Sequence, residues 1–371
     1  ARQLDQTLAD AAAQAGIVGL ATAVIVDGRV VWTRSYGLAD RERAQPLTPQ
    51  TAMNLASIAK TTIGVAMMRL VAEGRLDLDA DINRYLPFRV VNPHHPAARI
   101  TLRQLATHSS SITDRRDFYA ALYQPVDAPR PSLDALLRSY LVEGGADYRA
   151  ENFLRVAPGA SRDYSNLAAT LAAYIVERVA GESFDAHTRR VLFEPLGLCN
   201  TRWNRTLPEP PGLPQSRLYA QDDTGTHRIE LYALASYPDG GLLMSVEDLA
   251  RYFAMLLSGG ALDGVRVIDR EALAEMQRFQ WTPQHKPADY ALTEGNSGLF
   301  WRTKFNGERV GHGGNDPGVA AEMLTDADGR VGIIFVSNTS LHGDAHRHLL
   351  TITDALTRFG QDLTTKPDSH P

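Results

Sequence analysis

Cysteine is almost missing from this chain. Cys199 is the only one in 371 residues, so no internal disulfide can form. Its apolar neighbours read as core packing, not as the setting of a nucleophile. No apolar run reaches the roughly 18 residues that a membrane-spanning helix needs. Basic tracts are absent too and the net charge is −5, which argues against a nucleic-acid partner. There is no Gly-x-Ser-x-Gly elbow. Neither is there a His-Glu-x-x-His or clustered Cys/His pattern for zinc, nor a Gly-x-x-x-x-Gly-Lys phosphate loop. These absences lead us to expect no metal and no cofactor.

Lysine is scarce in a more selective way. Of 38 basic Lys and Arg residues only Lys60, Lys286, Lys304 and Lys366 are lysines. Arginine keeps its proton in a protein, whereas a desolvated lysine can release one and act as a base. Lys60 stands in Asn54-Leu55-Ala56-Ser57-Ile58-Ala59-Lys60, and the residues after it, Ile63 through Ala72, leave almost no polar face. A helix apolar all round is a buried one, and Gly74 is placed to cap its end. Residues three apart share a helix face, so Ser57 and Lys60 can meet. Burial favours the uncharged form of a lysine. A snorkelling lysine on an ordinary first turn is the alternative reading.

The chain is long enough for a sizeable core. Leu20 to Val26 and Arg29 to Tyr36 are β-branched runs joined by Asp27-Gly28, a hairpin signal. Near the other end, Gly298 to Phe305 and Glu308 to His312 flank Asn306-Gly307. Ala320 to Leu324 and Arg330 to Ser337 flank a turn with Asp328-Gly329. Helical spacing marks Leu4 to Ala15, Leu133 to Glu143, Asn166 to Gly181, Val246 to Leu257 and Ala345 to Phe359. Pro208, Pro210, Pro211 and Pro214 predict an irregular loop. The fold expected is α/β (α+β): an antiparallel sheet built from both termini (residues 1–60 with 222–360) and an inserted, mostly helical lobe (61–221). Residues 361–371 read as a disordered tail. A small-molecule site is expected between the lobes.

Two more stretches complete a pattern. Tyr164-Ser165-Asn166 precedes an amphipathic helix, and His312-Gly313-Gly314 ends a strand. With Ser57-x-x-Lys60 they resemble, in order, the three motifs of the penicillin-recognising serine hydrolases: class C β-lactamases, DD-carboxypeptidases, and esterases and D-peptidases of the same scaffold. Ile100 to His108, Phe193-Glu-Pro-Leu-Gly197 and Gly240-Gly241-Leu242 are similar to recurring family segments. The likeness covers about residues 5 to 355.

The resemblance implies a β-lactamase/transpeptidase-like fold and roles for named residues. Ser57 would be the nucleophile and Lys60 its base. Tyr164 would relay a proton to the leaving group, and Asn166 would orient Lys60 and a substrate amide. The backbone N–H groups of Ser57 and Asn315 would form an oxyanion hole beside Gly314. Tyr164 also reads as a buried tyrosine, Asn166 as a helix cap, and the glycines as a turn. His108 reads as structural. The third motif departs from the β-lactamases, which commonly carry a lysine and a hydroxyl residue where His312 and Gly313 stand. Neutral histidine and bare glycine should hold a substrate carboxylate less well. That favours an ester or D-configured amide over a β-lactam, with β-lactamase or DD-carboxypeptidase as the alternative. A non-catalytic peptidoglycan receptor is the reading outside enzymology. The irregular segment with Phe118, Tyr119 and Tyr123 is expected to cover the cleft. A chain opening at Ala1 fits a secreted or periplasmic protein after removal of a leader, and equally a trimmed cytoplasmic one.

Overall fold

The structure, a computed structural model, describes residues 2–204 and 214–365. The Pro208, Pro210 and Pro211 part of the expected loop and the end of the expected tail lie outside the described residues. Seven strands make the main sheet: β1 (Gly19–Val26), β2 (Arg29–Asp40), β3 (Gln45–Pro46), β4 (Arg302–Lys304), β5 (Arg309–Asp316), β6 (Val319–Thr325) and β7 (Val331–Ser337). Their order is β4-β5-β6-β7-β1-β2-β3, antiparallel throughout. The sheet is thus closed in its middle by β1 against β7, one strand from each end of the chain.

Every residue of β1 is buried, because both faces of the sheet are covered. Ala21, Ala23 and Ile25 face one core, while Leu20, Val24 and Val26 face another. This alternation follows from the two-residue repeat of a strand. Helices α1 (Arg2–Gln14) and α5 (Arg347–Thr364) cover the second face. Helix α4 (Val246–Leu257) lies across the first, beside α2 (Lys60–Ala72) and α3 (Asn166–Ala180). Helix α5 continues to Thr364, past Phe359 and into the segment expected as disordered. No helix among the described residues is long and apolar enough to cross a membrane.

The β1–β2 hairpin turns on Asp27 and Gly28, both left-handed at φ 48° and 75°, as a two-residue turn between right-twisted strands requires. The β4–β5 connection differs from expectation. Strand β4 holds only Arg302–Lys304, and a 3-10 turn at Phe305–Gly307 replaces the tight hairpin. Residues 298–301 leave the sheet because their backbone bonds go elsewhere: Leu299 N–H donates to Met276 O and Phe300 N–H to Ala106 O. Leu299, Phe300 and Trp301 are spent on the core instead. Cys199 corrects a second expectation. It is exposed, in the turn after Gly197, while the apolar residues before it turn inward.

Candidate active site

Ser57 sits on a 3-10 turn, Ala56–Ala59, that feeds directly into α2 at Lys60. Three strands hold this turn in place: Met53–Asn54, Leu242–Met244 and Thr201–Trp203 pair antiparallel, and Leu55 N–H donates to Leu242 O. Ala56 is left-handed at φ 47°, a backbone conformation that costs energy for a residue with a Cβ and tends to persist at functional sites. Lys60 is fully buried. Its Nζ lies 2.9 Å from Ser57 Oγ, 2.7 Å from Asn166 Oδ1 and 2.7 Å from Asp239 O. The last two can only accept, so they take two N–H bonds of the amine. The third direction points at the serine hydroxyl. In the amine form that direction is a lone pair.

Asn166 opens α3, and the helix start is fixed by a half-buried carboxylate. Asp114 accepts from Ser165 Oγ at 2.7 Å, from Asn166 N–H at 2.6 Å and from Leu167 N–H at 3.1 Å. These are N-terminal helix donors that have no partner inside the helix. Ser165 Oγ caps Ala168 N–H as well. Asn166 therefore reaches Lys60 from a rigid end, although Ser165 does the capping.

Tyr164 stands one residue before that cap. Its ring stacks on His108 with centroids 4.1 Å apart, and Lys60 Nζ lies 5.2 Å from its centroid. Its hydroxyl is buried without a partner among the described protein groups. No hydrogen bond joins it to Ser57 or Lys60 in this resting arrangement. His108 is buried and left-handed at φ 57°. Burial, helped by Arg162 and Lys60 nearby, pushes its pKa well below the usual value, so the ring is neutral. It accepts from Ser165 N–H at 3.3 Å and serves as the backing plate for Tyr164.

The third motif lies on β5, in register with β6: His312 opposite Met323, Gly313 opposite Glu322, Gly314 opposite Ala321, Asn315 opposite Ala320. A Cβ on Gly314 would meet Leu55 O at 2.3 Å and the Ala56 side chain at 3.0 Å. Only glycine lets the strand come this close to the Ser57 turn, which brings Asn315 beside it. His312 is buried and held neutral by desolvation first, then by Arg302 and Lys60. Its Nδ1 donates to Gly313 O at 2.7 Å, leaving Nε2 as an acceptor without a partner among the described residues. Ser57, Tyr164, Gly313, Gly314 and Asn315 border one cavity of about 350 Å³. A cavity of about 520 Å³ among Arg270, Arg278, Phe279 and Gly329 holds none of these groups.

Sequence reasoning missed an acidic flank. Tyr119 Oη donates to Asp239 Oδ1 at 2.8 Å, and Tyr123 Oη to Asp316 Oδ1 at 2.6 Å. Phe118 packs against Tyr140 instead. Desolvation raises Asp239 to a pKa of about 6 despite the pull of Lys60, and Asp316 to about 7. Nothing in the local sequence marks either aspartate, because each acquires its partners through folding.

A carboxyl that titrates near 6 when folded and near 3.8 when unfolded destabilises the fold as pH rises through that window. Below it both states are protonated and nothing is lost. Asp239→Asn removes the effect, and Thr170 Oγ1, now donating to Asp239 Oδ2 at 2.9 Å, can accept from the new amide. We expect the variant's melting temperature, relative to wild type, to rise between pH 4.5 and 7.5. The free energy involved is at most about 3 kcal/mol. A difference that stays constant across this range would contradict the assignment.

The Beta-lactamase family model matches residues 4–357. The chain belongs to the beta-lactamase family. The family is one of hydrolases, and its members cover the chain unevenly. Esterase EstB of Burkholderia gladioli is 31% identical over 206 residues, 53% of this chain and 50% of the esterase. Across the first curated relatives, this chain spans about half of their length. A penicillin-binding protein homologue from Pyrococcus abyssi, described as octameric, superposes with a TM-score of 0.76 at 23% identity, covering 99% of this chain and 78% of that one. D-amino acid amidase from Ochrobactrum anthropi SV3 gives 0.75 at 20% identity, covering 98% of both. At these identities the two structures speak for the fold alone, the β-lactamase/transpeptidase-like one.

Proposed function

We propose that this protein is a serine hydrolase of the class C type, acting through an acyl-enzyme on an ester or a D-configured amide or peptide. The contact set of Lys60 carries the reading: two obligate acceptors fix the amine, and Ser57 Oγ lies 2.9 Å away on its remaining direction. As Ser57 Oγ adds to the carbonyl carbon, its proton passes to Lys60 Nζ. The carbonyl oxygen becomes an oxyanion between the N–H groups of Ser57 and Asn315. When the bond to the leaving group breaks, Tyr164 delivers a proton to that group and is reprotonated from Lys60. A water, losing its proton to the same pair, then attacks the acyl-Ser57 ester; as the bond to Ser57 Oγ breaks, the pair returns that proton to Oγ, which restores the serine and frees the acid. The Tyr164 hydroxyl, without a partner among the described residues, suits this use.

Three substrates in parallel test the proposal: p-nitrophenyl esters, D-amino-acid amides and nitrocefin, with a fluorophosphonate probe read at Ser57 by peptide mapping. Ester or D-amide turnover and a label on Ser57 are expected, with slow nitrocefin hydrolysis. Fast nitrocefin turnover with inert esters and amides would make the protein a β-lactamase. A folded protein that takes no label and turns nothing over would be a receptor.

A further inference from the structure

The carbonyl that holds Lys60 belongs to a residue with an acid side chain. Asp239 closes the 3-10 turn Tyr237–Asp239, which runs into Gly240 and Gly241. Its carbonyl oxygen takes an N–H bond from Lys60 at 2.7 Å, and the whole residue is buried. Two donors from different elements fix its carboxyl group. Tyr119 Oη, on the short helix Arg116–Ala120, donates to Oδ1 at 2.8 Å, and Thr170 Oγ1, on α3, to Oδ2 at 2.9 Å. Thr170 Oγ1 also stands 3.1 Å from Asn166 O, one turn along α3 from the amide that takes the second N–H bond of Lys60. Both groups that fix the amine are thereby tied to one carboxyl.

The carboxyl also acts on the amine through its charge. Of the groups that favour its ionised form, Lys60 acts most strongly, ahead of Tyr119 and Thr170. Such an interaction is mutual: a carboxylate at Asp239 favours an ammonium at Lys60. With its pKa at about 6, the carboxyl is ionised at neutral pH. Asp316 faces the same amine from β5 and repels Asp239, while Tyr123 donates to it. The phenols around the two acids, Tyr119, Tyr123 and Tyr232, are held neutral by burial. A buried negative charge that lowers stability thus stands beside the one lysine whose reaction step creates a positive charge.

Resting on the hydrolase reading, we propose that Asp239 is a positioning residue for Lys60. Its carboxyl, anchored by Tyr119 and Thr170, fixes the carbonyl that holds the amine and stabilises the ammonium formed as the serine proton arrives. Ser57 Oγ loses that proton as it bonds to the carbonyl carbon, Lys60 gains it, and Asp239 stays ionised throughout. Asp239 is then the third group that orients and charge-balances the base of an activated nucleophile. Tyr119 joins the machinery through it, so the 116–125 segment does more than cover the cleft.

The test is the pH dependence of Ser57 acylation, read as the rate of fluorophosphonate labelling from about pH 5 to about pH 9. The rate should rise with pH as the amine becomes free to accept a proton. In Asp239→Asn no carboxylate charge favours the ammonium, so the midpoint of that rise should move about one pH unit toward acid. The plateau should fall about tenfold or more, because a weaker base takes the serine proton. Tyr119→Phe removes one of the carboxyl's two donors and disfavours its ionised form, so both changes should appear in smaller size. In the double variant Tyr119→Phe should add no further midpoint shift, since the carboxyl it acts through is gone. A substitution that merely loosened the site would lower the plateau and leave the midpoint in place. A midpoint in Asp239→Asn within about 0.2 pH unit of wild type overturns the proposal. So does a Tyr119→Phe shift that persists at full size in the double variant. If Asp239→Asn does not fold, Tyr119→Phe decides alone: a move toward acid supports the proposal, and an unmoved midpoint overturns it. Labelling of Ser57 with unmoved midpoints sinks this inference by itself. Folded wild-type protein that takes no label at any pH sinks the hydrolase reading beneath it and this inference too.

Discussion

Ser57→Ala is expected to reduce ester or amide turnover by at least about 10⁴-fold and to abolish covalent labelling. The size follows from what the substitution removes. Without Oγ there is no acyl-enzyme, and what remains is the oxyanion hole acting on an ordinary water. Such remnants leave a rate about 10³–10⁴ above the uncatalysed one, far below the enzymatic rate. The fold should tolerate the change, because Oγ has one partner among the described residues, Lys60 Nζ, which keeps its two other acceptors. Thermal melting should therefore stay close to wild type, which separates lost chemistry from lost structure. A Ser57→Ala protein that keeps a tenth of wild-type turnover in a preparation free of host esterase would remove Ser57 from the mechanism.

How much of this was legible in the sequence depends on the range of the interaction. The β1–β2 hairpin was readable because Asp27-Gly28 carries its own left-handed turn. Helix α3 was readable because its spacing is local, although the cap falls on Ser165 and not on Asn166 as expected. The Ser57–Lys60 contact was readable as one helical turn, though the turn is 3-10 at the serine. What escaped was long-range. Asp114, Asp239 and Asp316 are single aspartates in unremarkable local sequence. They gain their roles from partners at Ser165, Tyr119 and Tyr123. Strand β4 escaped for a related reason: its length is set by backbone bonds from Leu299 and Phe300 to Met276 and Ala106, which no hairpin rule contains. Arg302 and Lys304 stand in the sequence simply as two cations shortly before an Asn-Gly turn. Only the register of β4 against β5 brings them to the cavity. Motif reasoning about His312 and Gly313 alone thus undercounted the positive charge beside the nucleophile.

Lys60→Met carries the second largest expected effect, a loss of about 10³-fold or more in the rate of acylation, measured as fluorophosphonate labelling or single-turnover ester cleavage. Methionine keeps an unbranched chain of similar length in the buried slot, so the substitution deletes the amine and little volume. Two acceptors, Asn166 Oδ1 and Asp239 O, then lose their donor. Each orphaned buried acceptor costs about 1–3 kcal/mol, so stability should drop measurably in urea even though the core is filled. Lys60→Arg separates donor from base. A guanidinium can still donate toward those acceptors, but it does not release a proton at any pH the protein survives. If Lys60 acts by taking the serine proton, arginine recovers part of the stability and none of the rate. If Lys60 serves only as a fixed positive charge, arginine recovers rate as well. Acylation in Lys60→Arg within about tenfold of wild type would therefore retire lysine as the base and leave the third direction of its amine, the one aimed at Ser57, without a chemical purpose.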